Sequence, residues 1–299
     1  MTMRPDNPQI QESVKLALPS PWTSAAEGAA EPVAESDLTV IVLTRRRMHL
    51  LDRALRSLAA QRDMALTAIV VVDDCQPSVE YLEALPSSFG AIRSLGWIHV
   101  RREPEEQSGP GRIARLRETA VSRVTTSWSA FLDDDNVLET EHFPTLLQCA
   151  VHNPAPAAHS WRSLWTRDGR PYPLSGRHPW CREPHAASRL FTQYEAAGIY
   201  QRHSHIVRDQ VVPHCRSRSM VDTSEWILRT AFLIEMGFCH EYTVEDWQLG
   251  RTEDSKLLDQ IVERGVPIPS TCRPTLRYYL GGYSNNPSHE AAALAGWLP

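Results

Sequence analysis

Residues 37–43, Asp-Leu-Thr-Val-Ile-Val-Leu, form a β-branched and apolar run. A strand of that composition is buried on both faces, which requires helices above and below it. Residues 48–60 follow with Met48, Leu51, Leu55 and Leu58 at helical spacing, the stripe of an amphipathic helix. A second buried run spans 68–72, a third spans 97–100, and Ile113, Leu116, Ala120 and Val124 mark another amphipathic helix before the apolar run 128–132. Strand alternating with helix predicts an α/β fold with a parallel sheet and right-handed crossovers. Ligands bind such sheets at the carboxyl ends of the strands. The segments Thr44–Arg47, Asp73–Asp74 and Asp133–Asp135 all fall there and can converge on one crevice.

The last of these is chemically the most distinctive. Trp128-Ser-Ala-Phe-Leu132 runs directly into Asp133, Asp134 and Asp135. Unpaired ionised carboxylates are unfavourable to hold together out of water, and a divalent cation relieves them. Alternate carboxylates offer the hard oxygen ligands of Mg²⁺ or Mn²⁺, so Asp133 and Asp135 read as a metal site that shares its ion with a diphosphate. The alternative is a cap on the next element or a solvated turn. An EF-hand loop fits less well, because the central Gly is missing.

The whole-chain numbers narrow the class. The 299 residues, 42% hydrophobic and 22% charged, suit a globular protein with ample core. A formal charge of −5 argues against a dedicated nucleic-acid binder. No run approaches the length of a membrane span, and the N-terminus lacks the apolar core of a secretory signal. Six cysteines without a CxxC pair fit free thiols better than a disulfide scaffold, so the expected location is cytoplasmic. Basic charge is almost all arginine, with lysine only at positions 15 and 256.

Four regions are expected. Residues 1–36, rich in Pro, Ala, Glu and Ser, read as a flexible extension with a short helix around 10–18. Residues 37–150 are expected as the first, α/β half of the domain. Residues 151–280 form the second half of the same domain, in which 152–218 are expected as long loops with short helices before regular structure resumes at 226–236 and 255–264. Residues 281–299 are a tail.

Four spaced motifs resemble family 2 glycosyltransferases of the GT-A fold. Thr39-Val-Ile-Val-Leu-Thr-Arg-Arg-Arg47 is similar to their opening strand and turn, and Ile69-Val-Val-Val-Asp-Asp74 to their second strand. The stretch from Arg117 to Phe131-Leu-Asp-Asp-Asp-Asn136 resembles their Arg-bearing helix and DxD strand, without a gap in the spacing. Thr252-Glu-Asp-Ser-Lys-Leu-Leu-Asp-Gln-Ile-Val-Glu-Arg-Gly265, preceded by Gly237-Phe238, resembles the segment that opens their acceptor-side helix. The resemblance covers roughly 38–280. It implies a GT-A, Rossmann-like, mostly parallel sheet flanked by helices, with an irregular acceptor-side insertion.

The resemblance also assigns roles. Asp73, with Asp74 beside it, holds the uracil of the donor, and Thr44, Arg45 and Arg46 line the nucleotide pocket. Arg117 lies near the diphosphate, with Arg115 as the alternative, while Glu118 stands where the family has Asn. The Ser108-Gly-Pro-Gly111 turn before it opens a helix whose amides favour anions. Asp133 contacts ribose or metal and Asp135 ligates the metal. No third protein ligand is expected, because Tyr278–Tyr283 carries no His. Asp254 is the general base; Glu253 and Trp226 join it on the acceptor side, and Glu245-Asp246 is the rival pair. His203, His205 and His214 match no zinc spacing and are expected on acceptor loops, where Trp161, Trp165 and Trp180 either stack on a ligand or fill core.

The expected function is therefore metal-dependent, inverting transfer from a nucleotide diphosphate-sugar, a UDP-sugar first, to a hydroxyl or amine. The acceptor is expected to be a small molecule or carrier-bound group, with no nucleic acid and no integral membrane span, and with room for a homo-oligomer. The alternatives are a sugar-1-phosphate nucleotidyltransferase, against which the Gly-free turn Thr44–Arg47 counts, and an inactive nucleotide-sugar-binding protein.

Overall fold

The computed structural model describes residues 13–15, 37–102, 109–181, 183–243, 246 and 251–281. In chain order these form β1 (Ser13–Lys15), β2 (Leu38–Thr44), α1 (Met48–Ala59), β3 (Leu66–Asp73), α2 (Gln76–Glu83), β4 (Ile92–Val100), α3 (Pro110–Val121) and β5 (Trp128–Asp133). The second half contributes β6 (Val137–Leu138), α4 (His142–His152), β7 (Ala157–Trp165), α5 (Pro184–Ala196), β8 (Ile206–Val207), β9 (Trp226–Arg229), α6 (Thr230–Met236), α7 (Glu253–Glu263) and β10 (Ser270–Tyr279).

The described strands make one 10-stranded sheet in the order β1-β4-β3-β2-β5-β9-β7-β10-β6, with β8 on β7. Strands β4, β3, β2 and β5 are mutually parallel. The chain then reverses: β9 is antiparallel to both β5 and β7, and β10 is parallel to β7. The expected α/β, mostly parallel architecture is the one observed. Val40, Val42, Val70 and Val72 pack on one side with Leu51, Leu55 and Leu58 of α1, while Ile41, Val71 and Phe131 pack on the other with α3 and α7. Truncating a fully buried leucine such as Leu55 to Ala would destabilise the domain by roughly 2–5 kcal/mol.

Register places the chemistry. Thr44 pairs with Val72, Leu43 with Asp133, and Asp73 with Val100. Thr44, Asp73 and Asp133 therefore emerge at one edge of the sheet.

Three expectations fail on local grounds. Ser13–Lys15 is not helical; its backbone runs antiparallel to β4 from Ser13↔His99 to Lys15↔Trp97, because an open sheet edge outcompetes a marginal local helix. Strand β4 begins at Ile92, and polar Arg93 and Ser94 hide its first half from an apolar count. The region expected as loops holds a nine-residue interior strand, β7, and a 13-residue helix, α5. Strand β7 escaped notice because His159, Ser160, Arg162 and Ser163 are polar yet buried. His159 is tolerated inside because burial pushes its pKa down to about 4, keeping the ring neutral at physiological pH.

Candidate functional site

The crevice is lined by two acidic strand ends. At the first, Asp73 closes β3 and is nearly buried. Its Oδ2 accepts from Arg102 Nη2 at 2.9 Å. Its Oδ1 accepts from Arg112 Nη2 at 3.0 Å and Arg112 Nε at 3.2 Å. Arg45 approaches to 4.0 Å. Arg112 is held in turn by the Val100 carbonyl at 3.0 Å. Arg46 and Asp74 both adopt left-handed backbone conformations, at φ 56° and 46°, a region non-glycine residues enter mainly where surrounding structure enforces it. Together with Met48, Cys75, Gln76 and Pro77 they line a cavity of about 460 Å³ beside the strand ends.

The second end is Asp133–Asp135. Asp133 stays partly exposed, and its Oδ1 accepts from Arg117 Nη2 at 3.0 Å. Asp134 is sealed: its Oδ2 accepts from the Thr44 hydroxyl at 2.7 Å, and Oδ1 lies 2.6 Å from Arg47 Nη2. Burial pushes its pKa up to about 7, with Arg47 opposing and Asp135 adding to the rise. Asp135 accepts from Arg47 Nη1 at 2.9 Å, while its carbonyl takes Arg53 Nη2 at 2.5 Å. Burial raises its pKa, Arg47 opposes this, and the negative charge of Asp133 adds to it.

Arg117 links this end to the far wall. It is almost wholly buried, over the Phe131 ring at 5.4 Å. Nη1 donates to Thr223 Oγ1 at 2.8 Å and pairs with Glu253 Oε1 at 2.9 Å, while Nη2 serves Asp133. Burial drives Glu253 up to about 8, against the pull of Arg117. Asp254, the next residue, is more open. Its Oδ1 accepts from the Thr252 hydroxyl and from the Ser255 N–H at 2.7 Å. Its neighbour Glu253 pairs with Arg117, which also holds Asp133, so Asp254 stands at the helix start tied to that strand end.

Five sequence assignments change. Thr44 is buried and spent on Asp134, so only Arg45 and Arg46 of that turn can face a nucleotide. Arg117 faces carboxylates and ties β5 to α7, with no open face toward a diphosphate. Glu253 is buried as its partner, away from any acceptor. Trp226 is 1% exposed, edge-on to His159 in the core, and can touch no acceptor. Asp246 binds Lys256 Nζ at 2.9 Å and the Thr243 N–H at 2.9 Å, and these bonds push its pKa down to about 2. It is a tether for α7 and a weak base. Trp180 donates to Tyr278 Oη at 3.1 Å and packs against Arg162, partly buried at the flank of a core cluster. Ser108, Glu245, Trp247 and residues 282–299 lie outside the described residues.

Sequence reasoning brought Arg47 to the crevice without giving it a role, and it missed Arg102 and Arg112 at the β3 end. Arg112 directly follows the Gly109-Pro-Gly111 helix opening, which was its available signal. It also missed Asp222-Thr-Ser-Glu225, a capping box readable from its Asp-x-x-Glu spacing. Ser224 Oγ of that turn accepts the Asp133 N–H at 3.2 Å.

Among the described residues no group of three His, Cys, Asp or Glu side chains is arranged to hold a metal. Two carboxylates suffice for an ion that completes its shell with substrate phosphates and water. Asp133 and Asp135 fit that donor set, since each raises the energy of the other's charge and a cation relieves both.

Comparison with known proteins bears on the fold and the family. A search of curated proteins finds no match. Among solved structures, Staphylococcus aureus TarS 1-349 matches at TM-score 0.53 and 15% identity over 81% of this chain and 60% of that one. The mannosyltransferase PcManGT from Pyrobaculum calidifontis, in complex with GDP-Man and Mn²⁺, matches at TM-score 0.53 and 12% identity over 85% of this chain and 61% of that one. The chain thus spans about 60% of the length of these neighbours, and at such identities they establish the GT-A fold alone. The sequence model described as glycosyl transferase family 2 matches residues 39–215, more than half of the chain, and the chain belongs to that family.

Proposed function

We propose that the protein transfers a sugar from a nucleoside diphosphate-sugar, with UDP as the favoured nucleotide, to a hydroxyl or amine of a small-molecule or carrier-bound acceptor, with inversion at the anomeric carbon and with a divalent metal. One observation carries the reading: Asp73, Asp133 and Asp135 leave the sheet at one edge, and Arg117 ties that edge to the helix start bearing Asp254. TarS has been solved with UDP-GlcNAc and PcManGT with GDP-Man and Mn²⁺, which supports a nucleotide-sugar donor here.

Each residue then has a task. Asp73 has four lone-pair directions, of which Arg102 and Arg112 take three N–H contacts, leaving one for a base imide N–H. Arg45 and Arg46 lie beside it as cations for the diphosphate. Asp133 and Asp135 are the residues that would hold Mn²⁺ or Mg²⁺, whose chemistry is Lewis-acid stabilisation of charge on the departing diphosphate. Asp254 takes the proton from the acceptor as its oxygen or nitrogen attacks the anomeric carbon. The Thr252 hydroxyl and Ser255 N–H hold that carboxylate in place. Described helices include none long and apolar enough to cross a membrane.

The test is product analysis. Purified protein incubated with UDP- and GDP-sugars, with Mn²⁺ or Mg²⁺ and an acceptor panel, should release nucleoside diphosphate. Release of pyrophosphate from a sugar phosphate and a nucleoside triphosphate would mark a nucleotidyltransferase. Donor binding without transfer or slow hydrolysis would mark a binding protein.

A further inference from the structure

Asp134, Asp135 and Asn136 carry the chain from β5, inside the sheet, to β6, the last strand in its order. There Val137 and Leu138 pair antiparallel with Arg277 and Leu276 of β10. The Asn136 N–H donates to the Asp133 carbonyl at 3.0 Å, and groups from elsewhere must fix the rest of so short a crossing. Ser224 Oγ takes the Asp133 N–H. The remaining anchors come from β10 and α1. Asn136 is buried, and its Oδ1 accepts the Tyr279 N–H at 3.2 Å. The Asp135 carbonyl accepts from Arg53 Nη2 at 2.5 Å. The same guanidinium lies over the Tyr279 ring, 4.0 Å from its centroid.

Sheet topology explains this reach. Strands β5 and β7 both run antiparallel to β9, and β10 runs parallel to β7, so the carboxyl ends of β5 and β10 share one edge. Tyr279 ends β10 and therefore stands beside the turn, although 143 positions separate it from Asn136. Its ring is backed by Trp165, its register partner on β7, with 6.5 Å between centroids. Among the described residues no carboxylate pairs with Arg53; the carbonyl dipole and the ring face offset its charge. A planar guanidinium can lie flat on a ring and donate in its own plane at the same time, which an ammonium cannot do. Asp135 is thus held twice: Arg47 takes the carboxylate and Arg53 takes the main chain.

We propose that Arg53 and Tyr279 are positioning residues for the proposed metal ligand Asp135: stacked on each other, they fix the main chain of the Asp135–Asn136 turn and so aim the Asp135 carboxylate at the cation. The inference rests on the glycosyl-transfer reading and its divalent ion. It makes the last strand of the sheet part of the support of a ligand on the fifth.

The test is Mn²⁺ titration in the presence of UDP, followed by electron paramagnetic resonance, together with hydrogen exchange of the peptide containing residues 133–138 without any ligand. Arg53→Met and Tyr279→Leu should each weaken Mn²⁺ binding by roughly 10–100-fold, as loss of an outer partner of a metal ligand does, and each should raise exchange in that peptide. Tyr279→Phe keeps the ring that Arg53 covers and should match the wild type in both measurements. The double variant Arg53→Met/Tyr279→Leu should bind Mn²⁺ no more weakly than the worse single variant, because the two side chains act as one unit. Wild-type Mn²⁺ affinity and exchange in Arg53→Met, equal loss in Tyr279→Phe and Tyr279→Leu, or a double variant whose loss is the product of the single losses would overturn the proposal. Should Arg53→Met fail to fold, the comparison of Tyr279→Phe with Tyr279→Leu decides. If the wild type binds no Mn²⁺ with UDP or GDP and turns over neither UDP-GlcNAc nor GDP-mannose, the functional reading fails by itself. Exchange at 133–138 then still decides whether Arg53 and Tyr279 hold the turn.

Discussion

The two acidic strand ends of the crevice carry opposite charge balances. At the end of β3 a single carboxylate, Asp73, stands among Arg45, Arg102 and Arg112. At the end of β5 three carboxylates share Arg47 and Arg117, and Arg117 is also engaged by Glu253. The first end is electrostatically complete within the protein, so it can accept one directional bond from a neutral base edge without changing its own state. The second is short of positive charge in a place poor in water. Burial and the neighbouring carboxylates push the Asp134 pKa up to about 7, and under the proposed function a cation arriving with the donor would relieve Asp133 and Asp135. Under the proposed function the β3 end recognises a base edge and the β5 end takes a counter-charge.

The largest effect should come from deepening the asymmetry at β5. Asp135→Ala leaves Asp133 without its co-ligand, and metal-dependent transfer should fall by about 10³-fold, corresponding to the several kcal/mol a metal contributes to a charged transition state. Chelation of the wild type should produce a similar rate, and re-addition of Mn²⁺ should restore the wild type alone. A variant that retained metal-stimulated transfer would show that the β5 end needs no cation.

Asp254→Asn tests the wall opposite. Turnover should drop by about 10²–10⁴-fold, the range for a lost general base, while calorimetric binding of the donor nucleotide stays as in the wild type. Asp246→Asn is the control, because Asp246 is locked to Lys256 and Thr243. Should Asp246→Asn prove the slower enzyme, the base would move to that residue. At the β3 end, Asp73→Asn should weaken nucleotide binding by about 10–100-fold and leave kcat nearly intact, since it strands three arginines without their anion. A fall in kcat with unchanged nucleotide affinity would erase the distinction between the two ends.

The same contrast governs what the sequence discloses. Strands β2, β3 and β5 are legible because interior parallel strands are continuous apolar runs, and the acids at their ends interrupt those runs visibly. Asp73 and Asp133 end strands, Asp135 follows two residues after Asp133, and Asp254 opens a helix. The partners are hidden. Arg47 lies 88 positions from Asp135, Arg112 lies 39 from Asp73, and Arg117 lies 106 from Thr223, so no local period links them. Strand β7 is illegible for a related reason: Arg162 looks like a surface residue until Asp209, Asp222 and Glu225 converge on it from elsewhere. Trp226 illustrates the opposite error, since an aromatic beside a charged turn resembles a ligand platform while filling core.

The smallest effect concerns stability, and it reads the deficit at the β5 side without substrate. Glu253, the carboxylate behind Arg117, has its pKa raised to about 8 by burial first, then by Asp254 and Asp133. A carboxyl whose folded pKa lies above its unfolded value binds more protons folded than unfolded, so its contribution favours the fold at low pH. That contribution declines as pH rises from the ordinary carboxylate range through about 8 and is constant above it. Buried Asp134, raised to about 7, works in the same direction over a narrower window. The melting temperature without metal should therefore fall by a few degrees between pH 5 and pH 8.5, as small free-energy losses do in a chain of this size. Glu253→Gln keeps the bond to Arg117 but cannot ionise, and it should flatten the curve. Adding Mn²⁺ should raise the melting temperature of wild type and Glu253→Gln alike, because the ion stabilises only the folded chain. A wild-type curve that rises with pH over this interval would mean that Arg117, shared between Asp133 and Glu253, compensates both carboxylates after all.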